Sequence, residues 1–196
     1  MSKNLEFNPN IEVIFFCIGY PLSGKTTILN HIKTINSNVE VCFPGVELRK
    51  LSLNNLELAN SLKKGLAQAE HEELVTSILI NILNNTTKKI IFIDGFPRIP
   101  QQLDWINNCI NPSYKTFFAH YNISEEITNE RLISTNRAAE RPGYTLEIHN
   151  KRCLETNIML KLLKREKIQM LSINHTNFNK AVDELIAIIH NVLNTK

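Results

Sequence analysis

The sequence predicts a doubly wound α/β fold, in which a five-stranded parallel sheet has helices on both faces. Five short apolar runs, rich in β-branched and aromatic residues, are typical of strands buried inside a parallel sheet. The runs cover residues 11–18, 39–43, 89–93, 115–121 and 167–173. The segments between them are long enough to hold the crossover helices that parallel strands need.

Three of the remaining segments, 70–83, 145–164 and 179–193, carry apolar side chains at helical spacing. Each is therefore predicted to form an amphipathic helix, and we expect its apolar stripe to face the core. The predicted stripes contain Leu74, Ile78 and Ile82 in the first segment, Leu154, Ile158, Leu162 and Leu163 in the second, and Val182, Leu185, Ile189 and Val192 in the third.

The composition is that of one globular domain. Of the 196 residues, 43% are hydrophobic and 21% are charged, which is enough to form a core without disulfides. The formal net charge is +3, and the cationic residues are spread along the chain. This distribution disfavours nucleic acids and membrane surfaces as partners.

The sequence also indicates a compartment. The four cysteines show no CxxC pairing, and the N-terminal residues lack the layout of a signal peptide. The apolar runs all fall short of the roughly 18 residues that a membrane-spanning helix needs. We therefore expect a cytoplasmic protein with reduced cysteines.

A phosphate-binding sequence follows the first predicted strand directly. Residues 19–26, GYPLSGKT, match the pattern G-x-x-x-x-G-K-[ST] at every fixed position. Its glycines let backbone N–H groups turn toward phosphate oxygens, and the helix that begins near Gly24 adds its positive end. Lys25 supplies a cation for the β- and γ-phosphates, and Thr26 offers a hydroxyl to Mg²⁺. The residues expected to bind ATP here are Gly19, Pro21, Leu22, Ser23, Gly24, Lys25, Thr26 and Thr27.

The third predicted strand also ends in residues suited to phosphate chemistry. It is followed by residues 94–98, DGFPR, and then by Gln102. Asp94 can organise the hydration shell of Mg²⁺, and Arg98 offers a planar fork to a phosphate. Taken singly, Asp94 could be a helix cap and Arg98 a surface arginine. Their place beside the phosphate loop favours a shared site instead.

With these motifs in this order, nearly the whole chain resembles the adenylate kinase family of nucleoside monophosphate kinases. The resemblance implies the three-layer fold of P-loop NTPases as a single domain over residues 1–196, and a monomer. It places a monophosphate-binding segment at about 43–75 and a short lid at about 134–146. It also implies that Arg98 grips the phosphate of the monophosphate and that Gln102 binds its base.

The same resemblance assigns further arginines. Residues 45–49, GVELR, look like the G-D-L-L-R segment of the family, which makes Arg49 a second monophosphate ligand. Arg131, Arg141 and Arg152 are spaced similarly to the arginines of a short family lid and would close over both nucleotides. The catalytic residues implied are Lys25, Arg98, Arg141 and Arg152. The monophosphate ligands implied are Arg49, Gly95, Arg98, Gln102, Arg141 and Arg152, and the metal ligands are Thr26 and Asp94.

The sequence departs from the family pattern at several positions. Residues 43–44, Phe-Pro, replace a Ser-Thr or Ser-Ala pair, and Val46 replaces an aspartate. In the lid the usual R-x-D-D becomes RPGY over residues 141–144. An expected arginine is Thr135, and we expect Arg137 to take its place in binding ATP. The loop reads GKTT, where adenylate kinases have glycine after the lysine.

The function implied by the resemblance is transfer of the γ-phosphoryl group of ATP·Mg²⁺ to a nucleoside monophosphate. AMP is the favoured acceptor, with CMP and UMP left open by the departures. The attacking phosphate oxygen is mostly ionised near neutral pH, so no general base is required. Two alternatives stay open, namely a nucleotide-binding pseudoenzyme with a degenerate lid and a P-loop kinase for another small molecule such as shikimate.

Overall fold

The structure, a computed structural model, describes residues 5–63, 71–134 and 144–194. All five predicted runs form strands, which pair in parallel in the order β2-β3-β1-β4-β5. The strands are β1 Val13–Ile18, β2 Val39–Cys42, β3 Ile90–Asp94, β4 Lys115–Asn122 and β5 Met170–Asn174. The predicted α/β fold is confirmed.

Eight helices surround the sheet within the described residues. They are α1 Lys25–Ile35, α2 Pro44–Ser52, α3 Leu56–Lys63, α4 Glu72–Asn85, α5 Pro100–Cys109, α6 Glu125–Ser134, α7 Leu146–Arg165 and α8 Phe178–Asn194. Helices pack on both faces of the sheet, which gives the three layers expected of a P-loop NTPase. In this part of the chain, none of the helices has the length and apolar character needed to cross a membrane.

Strand β1 lies at the centre of the sheet because all six of its residues are apolar and can be buried on both faces. Each is less than 5% exposed. Its side chains alternate between two core clusters, one on each face of the sheet. On one face Phe15 stacks on Phe92 of β3 at a ring-centroid distance of 4.6 Å. The sheet is thereby held rigidly beneath the loops that leave its carboxyl edge.

The three predicted apolar stripes differ in how far they are buried. The stripe of α8 is buried as predicted. In α4 the fully buried residues are Val75, Leu79 and Leu83, one position after the predicted stripe, whose members are half-buried. Two apolar stripes run side by side on this helix, and periodicity cannot tell which of them faces the sheet.

In α7 the prediction is wrong for two positions, because Leu154 is 60% exposed and Ile158 is 48% exposed. The buried face of this helix carries His149, Cys153, Met159 and Leu163 instead. The first half of α7 packs beside the carboxyl edge of the sheet, where polar side chains point inward. An apolar stripe is therefore not a guide to its inner face.

The fold brings the two phosphate motifs together at one edge of the sheet. Cys17 of β1 is in register with Asp94 of β3, and the Gly95 N–H donates to the Cys17 carbonyl at 2.9 Å. The chain after β1 and the chain after β3 therefore leave the sheet side by side. The central strand β1 lies between β3 and β4, which is the switch point where ligands bind in such sheets.

Candidate active site

The phosphate loop joins β1 to α1. Gly24 precedes α1 in the left-handed conformation, with φ of +87°. A Cβ added there would overlap the ring of His175, which follows β5. The backbone conformation therefore favours glycine at this position, and a larger residue would also have to displace the His175 ring. Ser23, which is fully buried, donates its N–H to the Tyr20 carbonyl at 3.2 Å and closes the turn.

Lys25 is buried at the mouth of this loop, with 8% of its surface exposed. Its Nζ donates to the carbonyl oxygens of Gly19 at 2.7 Å and Tyr20 at 2.8 Å, and to Ser23 Oγ at 2.9 Å. These contacts hold the ammonium group over the loop. A phosphate oxygen is a stronger acceptor than these neutral groups, so it competes well for the same donor.

Thr26 and Asp94 form the part of the site that suits a divalent cation. Thr26 Oγ1 donates to Asp94 Oδ2 at 2.6 Å. Asp94 Oδ1 is buried without a hydrogen-bond partner among the described residues. A hydroxyl and an unsatisfied carboxylate oxygen are ligands that Mg²⁺ prefers. The residues present therefore fit a magnesium ion.

Arg98 lies in the turn between β3 and α5. Its Nε donates to the Gly95 carbonyl at 2.9 Å, and its backbone N–H donates to Gln102 Oε1 at 2.7 Å. Gln102 is fully buried in the first turn of α5. The buried amide fixes the backbone at Arg98, and the glycine carbonyl orients the guanidinium.

A second guanidinium lies near the first. Burial and the charge of Arg152 lower the pKa of Arg98 to about 10, although Glu155 and Asp94 act in the opposite direction. Arg98 is thus still protonated at neutral pH while it repels Arg152. Two neighbouring cations of this kind are stabilised by a shared anion.

The phosphate loop, the turn after β3 and Arg152 of α7 line one cavity of about 500 Å³. It brings together the predicted phosphate-loop residues, Asp94, Gly95, Arg98 and Arg152. Arg131 of α6 also lines it, and its Nη1 donates to the Leu22 carbonyl of the phosphate loop at 2.9 Å. The cavity is therefore lined by two cationic groups of residues. We call them the phosphate-loop end, with Lys25 and Arg131, and the arginine end, with Arg98 and Arg152.

Of the predicted site residues that the structure describes, two are not among those that line this cavity. Arg49 lies on an exposed part of α2, and Gln102 is buried beneath the turn that it supports. Arg137 and Arg141 lie outside the described residues. Their expected roles stay predictions, as do the limits of the lid.

The sequence predictions missed several residues at the site. Glu155 and Thr156 line the cavity, and Glu155 lies three residues after Arg152 on α7. The i, i+3 spacing from a predicted arginine is the signal that could have found it. His149 is not among the predicted site residues either, but it is fully buried and hydrogen-bonded to Tyr144, whose ring faces the Arg152 guanidinium.

Comparison with known proteins places the chain in a family. The profile of the family described as AAA domain matches residues 18–147. The chain belongs to this family. The match covers the phosphate loop, the turn after β3 and the start of α7, and it therefore contains most of the cavity described above.

The chain is also similar to several adenylate kinases. It is 29% identical to that of Helicobacter pylori strain HPAG1, over 66% of this chain and 71% of the relative. It is 26% identical to that of Campylobacter lari over 94% of this chain and 98% of the relative. It is 29% identical to the adenylate kinase of Nitratiruptor sp. over 72% of this chain and 75% of the relative. The adenylate kinase-like resemblance is confirmed, and the chain is a nucleotide kinase of the P-loop type.

Proposed function

We propose that this protein transfers the γ-phosphoryl group of ATP·Mg²⁺ to a nucleoside monophosphate, with AMP as the favoured acceptor. One observation carries the proposal, namely the single cavity with two cationic ends. A nucleoside triphosphate bound in the phosphate loop requires only Lys25 and its neighbours. The Arg98–Arg152 pair at the other end suits a second phosphorylated ligand.

Each residue would have its own role in phosphoryl transfer. Lys25 and the loop backbone would bind the triphosphate, and Arg98 and Arg152 would bind the acceptor phosphate and neutralise the group in transfer. Thr26 and Asp94 would hold Mg²⁺, which, when bound, offsets negative charge on the phosphate oxygens. The acceptor oxygen is ionised already, so the protein needs no base to remove a proton.

The other assignments implied by the family stay part of the proposal. The acceptor segment at about 43–75 includes α2 and α3, and Arg49 would bind the monophosphate from it. Gln102 would act on the acceptor side, and Arg137 and Arg141 would contribute from the lid at about 134–146. The adenylate kinase names of the relatives support AMP over CMP and UMP. A cytoplasmic location and a monomeric state stay predictions.

The test is ADP release from ATP·Mg²⁺ in a coupled assay with AMP, CMP, UMP, dTMP and GMP as acceptors. We expect rapid turnover with one of them, and loss of that turnover in Lys25→Met and Arg98→Ala. Matched controls are Lys33→Met and Arg165→Ala, since both side chains form exposed ion pairs away from the cavity. These controls should keep the native rate.

The result that contradicts the proposal is ATP binding without turnover for every acceptor. Binding measured by calorimetry distinguishes this result from a misfolded preparation. It would favour the nucleotide-binding pseudoenzyme. Turnover with a non-nucleotide acceptor such as shikimate would favour the small-molecule kinase instead.

A further inference from the structure

Three side chains cluster where α7 begins. The Tyr144 hydroxyl and His149 Nδ1 are hydrogen-bonded at 3.2 Å, and their rings meet edge to face at a centroid distance of 6.2 Å. The guanidinium carbon of Arg152 lies 5.2 Å from the centroid of the Tyr144 ring. Tyr144 and His149 are both buried, whereas Arg152 reaches the cavity.

The local backbone explains why these residues meet. Thr145 caps α7, because its Oγ1 accepts from the Ile148 N–H at 3.2 Å and its carbonyl accepts from the His149 N–H at 3.0 Å. Tyr144 is thereby fixed just before the first turn. His149 and Arg152 are three residues apart and share the face of α7 that turns toward Tyr144.

Such support matters for Arg152 because Arg98 repels it, although the carboxylates of Glu155 and Asp94 line the same cavity. The charge of Arg98 lies close by, as the effect of Arg152 on the Arg98 pKa shows. Arg152 Nε is buried and has no hydrogen-bond partner among the described residues. A carboxylate would hold the guanidinium but would also neutralise it and occupy its donors. An aromatic face holds the cation and leaves its charge and its N–H groups available for phosphate.

We propose that Tyr144 is a positioning residue for Arg152, with its ring holding the guanidinium in the cavity and His149 holding the ring. The role in phosphoryl transfer rests on the proposed function, but the physical coupling between Tyr144 and Arg152 does not. The ring carries the effect, and the tyrosine hydroxyl contributes through its bond to His149.

The test is a double-mutant cycle between Tyr144→Met and Arg152→Ala. We expect Tyr144→Met to lower kcat about tenfold, because an arginine that is no longer held spends less time in the productive position. Tyr144→Phe keeps the ring and should stay within about threefold of the native kcat. In the Arg152→Ala background, Tyr144→Met should have no further effect, since the group that it positions is gone.

Tyr114→Met and Tyr114→Phe are the matched controls. The Tyr114 hydroxyl bonds the backbone of Phe7 at the other end of the sheet, so these variants report the general effect of losing a half-buried tyrosine. If Tyr144→Met lowers the unfolding temperature like Tyr114→Met but leaves kcat unchanged, the positioning role is wrong. An equal loss of kcat in the presence and absence of Arg152 would overturn it as well.

The same four proteins are also compared by their affinity for inorganic tripolyphosphate, measured by calorimetry. This measurement needs no turnover. The proposal is supported if Tyr144→Met weakens tripolyphosphate binding in the native background but not in the Arg152→Ala background, even when no acceptor is phosphorylated. Losses of affinity that add in the double variant contradict the proposal. Failure of the proposed function is thus separate from failure of this inference. If Tyr144→Met does not fold, His149→Leu replaces it in the cycle, and the absence of coupling to Arg152 then contradicts the proposal.

Discussion

The two ends of the cavity are built in different ways. The phosphate-loop end comes from one contiguous stretch whose backbone wraps the site. Distant residues such as Asp94 of β3 and Arg131 of α6 bond to this stretch but do not form it. The arginine end draws Arg98 from the turn after β3 and Arg152 from α7. Backbone groups are placed by the fold itself, whereas long side chains depend on what packs against them. The first end is therefore predicted to respond to substitution more sharply than the second.

The largest effect is expected for Asp94→Asn. The amide can still accept a hydrogen bond from Thr26, but it loses the charge that suits a divalent cation. We expect kcat to fall about 10²–10³-fold, with a higher Mg²⁺ concentration needed for half-maximal rate. Steady-state kinetics in a Mg²⁺ titration measure both quantities. Asp104→Asn, on the exposed side of α5, is the control, and an unchanged Mg²⁺ dependence in Asp94→Asn would contradict the assignment.

Arg98→Lys tests the arginine end. Lysine keeps a positive charge but cannot form the two-pronged contact, so we expect the KM for the monophosphate to rise about 10–100-fold. The KM for ATP should change less than about threefold, because Lys25 and the loop are intact. Arg165→Lys is the control. Equal rises in both KM values would show that the two ends do not bind separate ligands.

Gly24→Ala tests how rigidly the phosphate-loop end is built. We expect the free energy of unfolding to fall by about 1–3 kcal/mol, because the new Cβ meets the His175 ring in a backbone conformation that alanine avoids. His175→Ala in the same chain should restore part of this loss, since the overlap disappears while the positive φ remains. Urea unfolding measures both variants.

Gly45→Ala serves as the control for that experiment. Gly45 lies within α2 and is not among the glycines with positive φ, so alanine there should be neutral or stabilising. A loss as large as that of Gly24→Ala would mean that the overlap with His175 is not the cause.

The smallest expected effect is the dependence of the free energy of unfolding on pH. Burial lowers the pKa of His120, His149 and His175, with Lys25 adding to the effect at His120, and Arg131 and Lys25 adding at His175. In the unfolded chain the pKa of each of these histidines is about 6.5. The unfolded state therefore binds more protons below that pH, and the free energy of unfolding should fall as the pH is lowered from about 7.5 to about 5.5.

His149→Gln should make this dependence shallower, because one of the three contributing side chains no longer titrates. Urea unfolding at several pH values measures the slope. The control is His190→Gln on the exposed face of α8. The same slope in the native protein and in His149→Gln would show that His149 does not remain neutral in the folded state.

Much of the fold could be predicted because its signals are local. Each strand is a short apolar run, and the phosphate loop is a contiguous pattern in which Gly24 and Lys25 act through their own turn. Helix faces were less predictable. Leu154 and Ile158 were expected in the core and are exposed, because spacing along a helix does not say which side meets the sheet.

The sequence by itself determined the strands, the phosphate loop and the presence of Asp94 and Arg98 at and just after the end of the third strand, since these depend on residues close together in the chain. Only the tertiary structure decided that Gln102 lies beneath the Arg98 turn and that Tyr144 and His149 surround Arg152. Those contacts depend on how α5 and α7 rotate and pack against the edge of the sheet. That rotation follows from the burial of the whole core and not from any single segment.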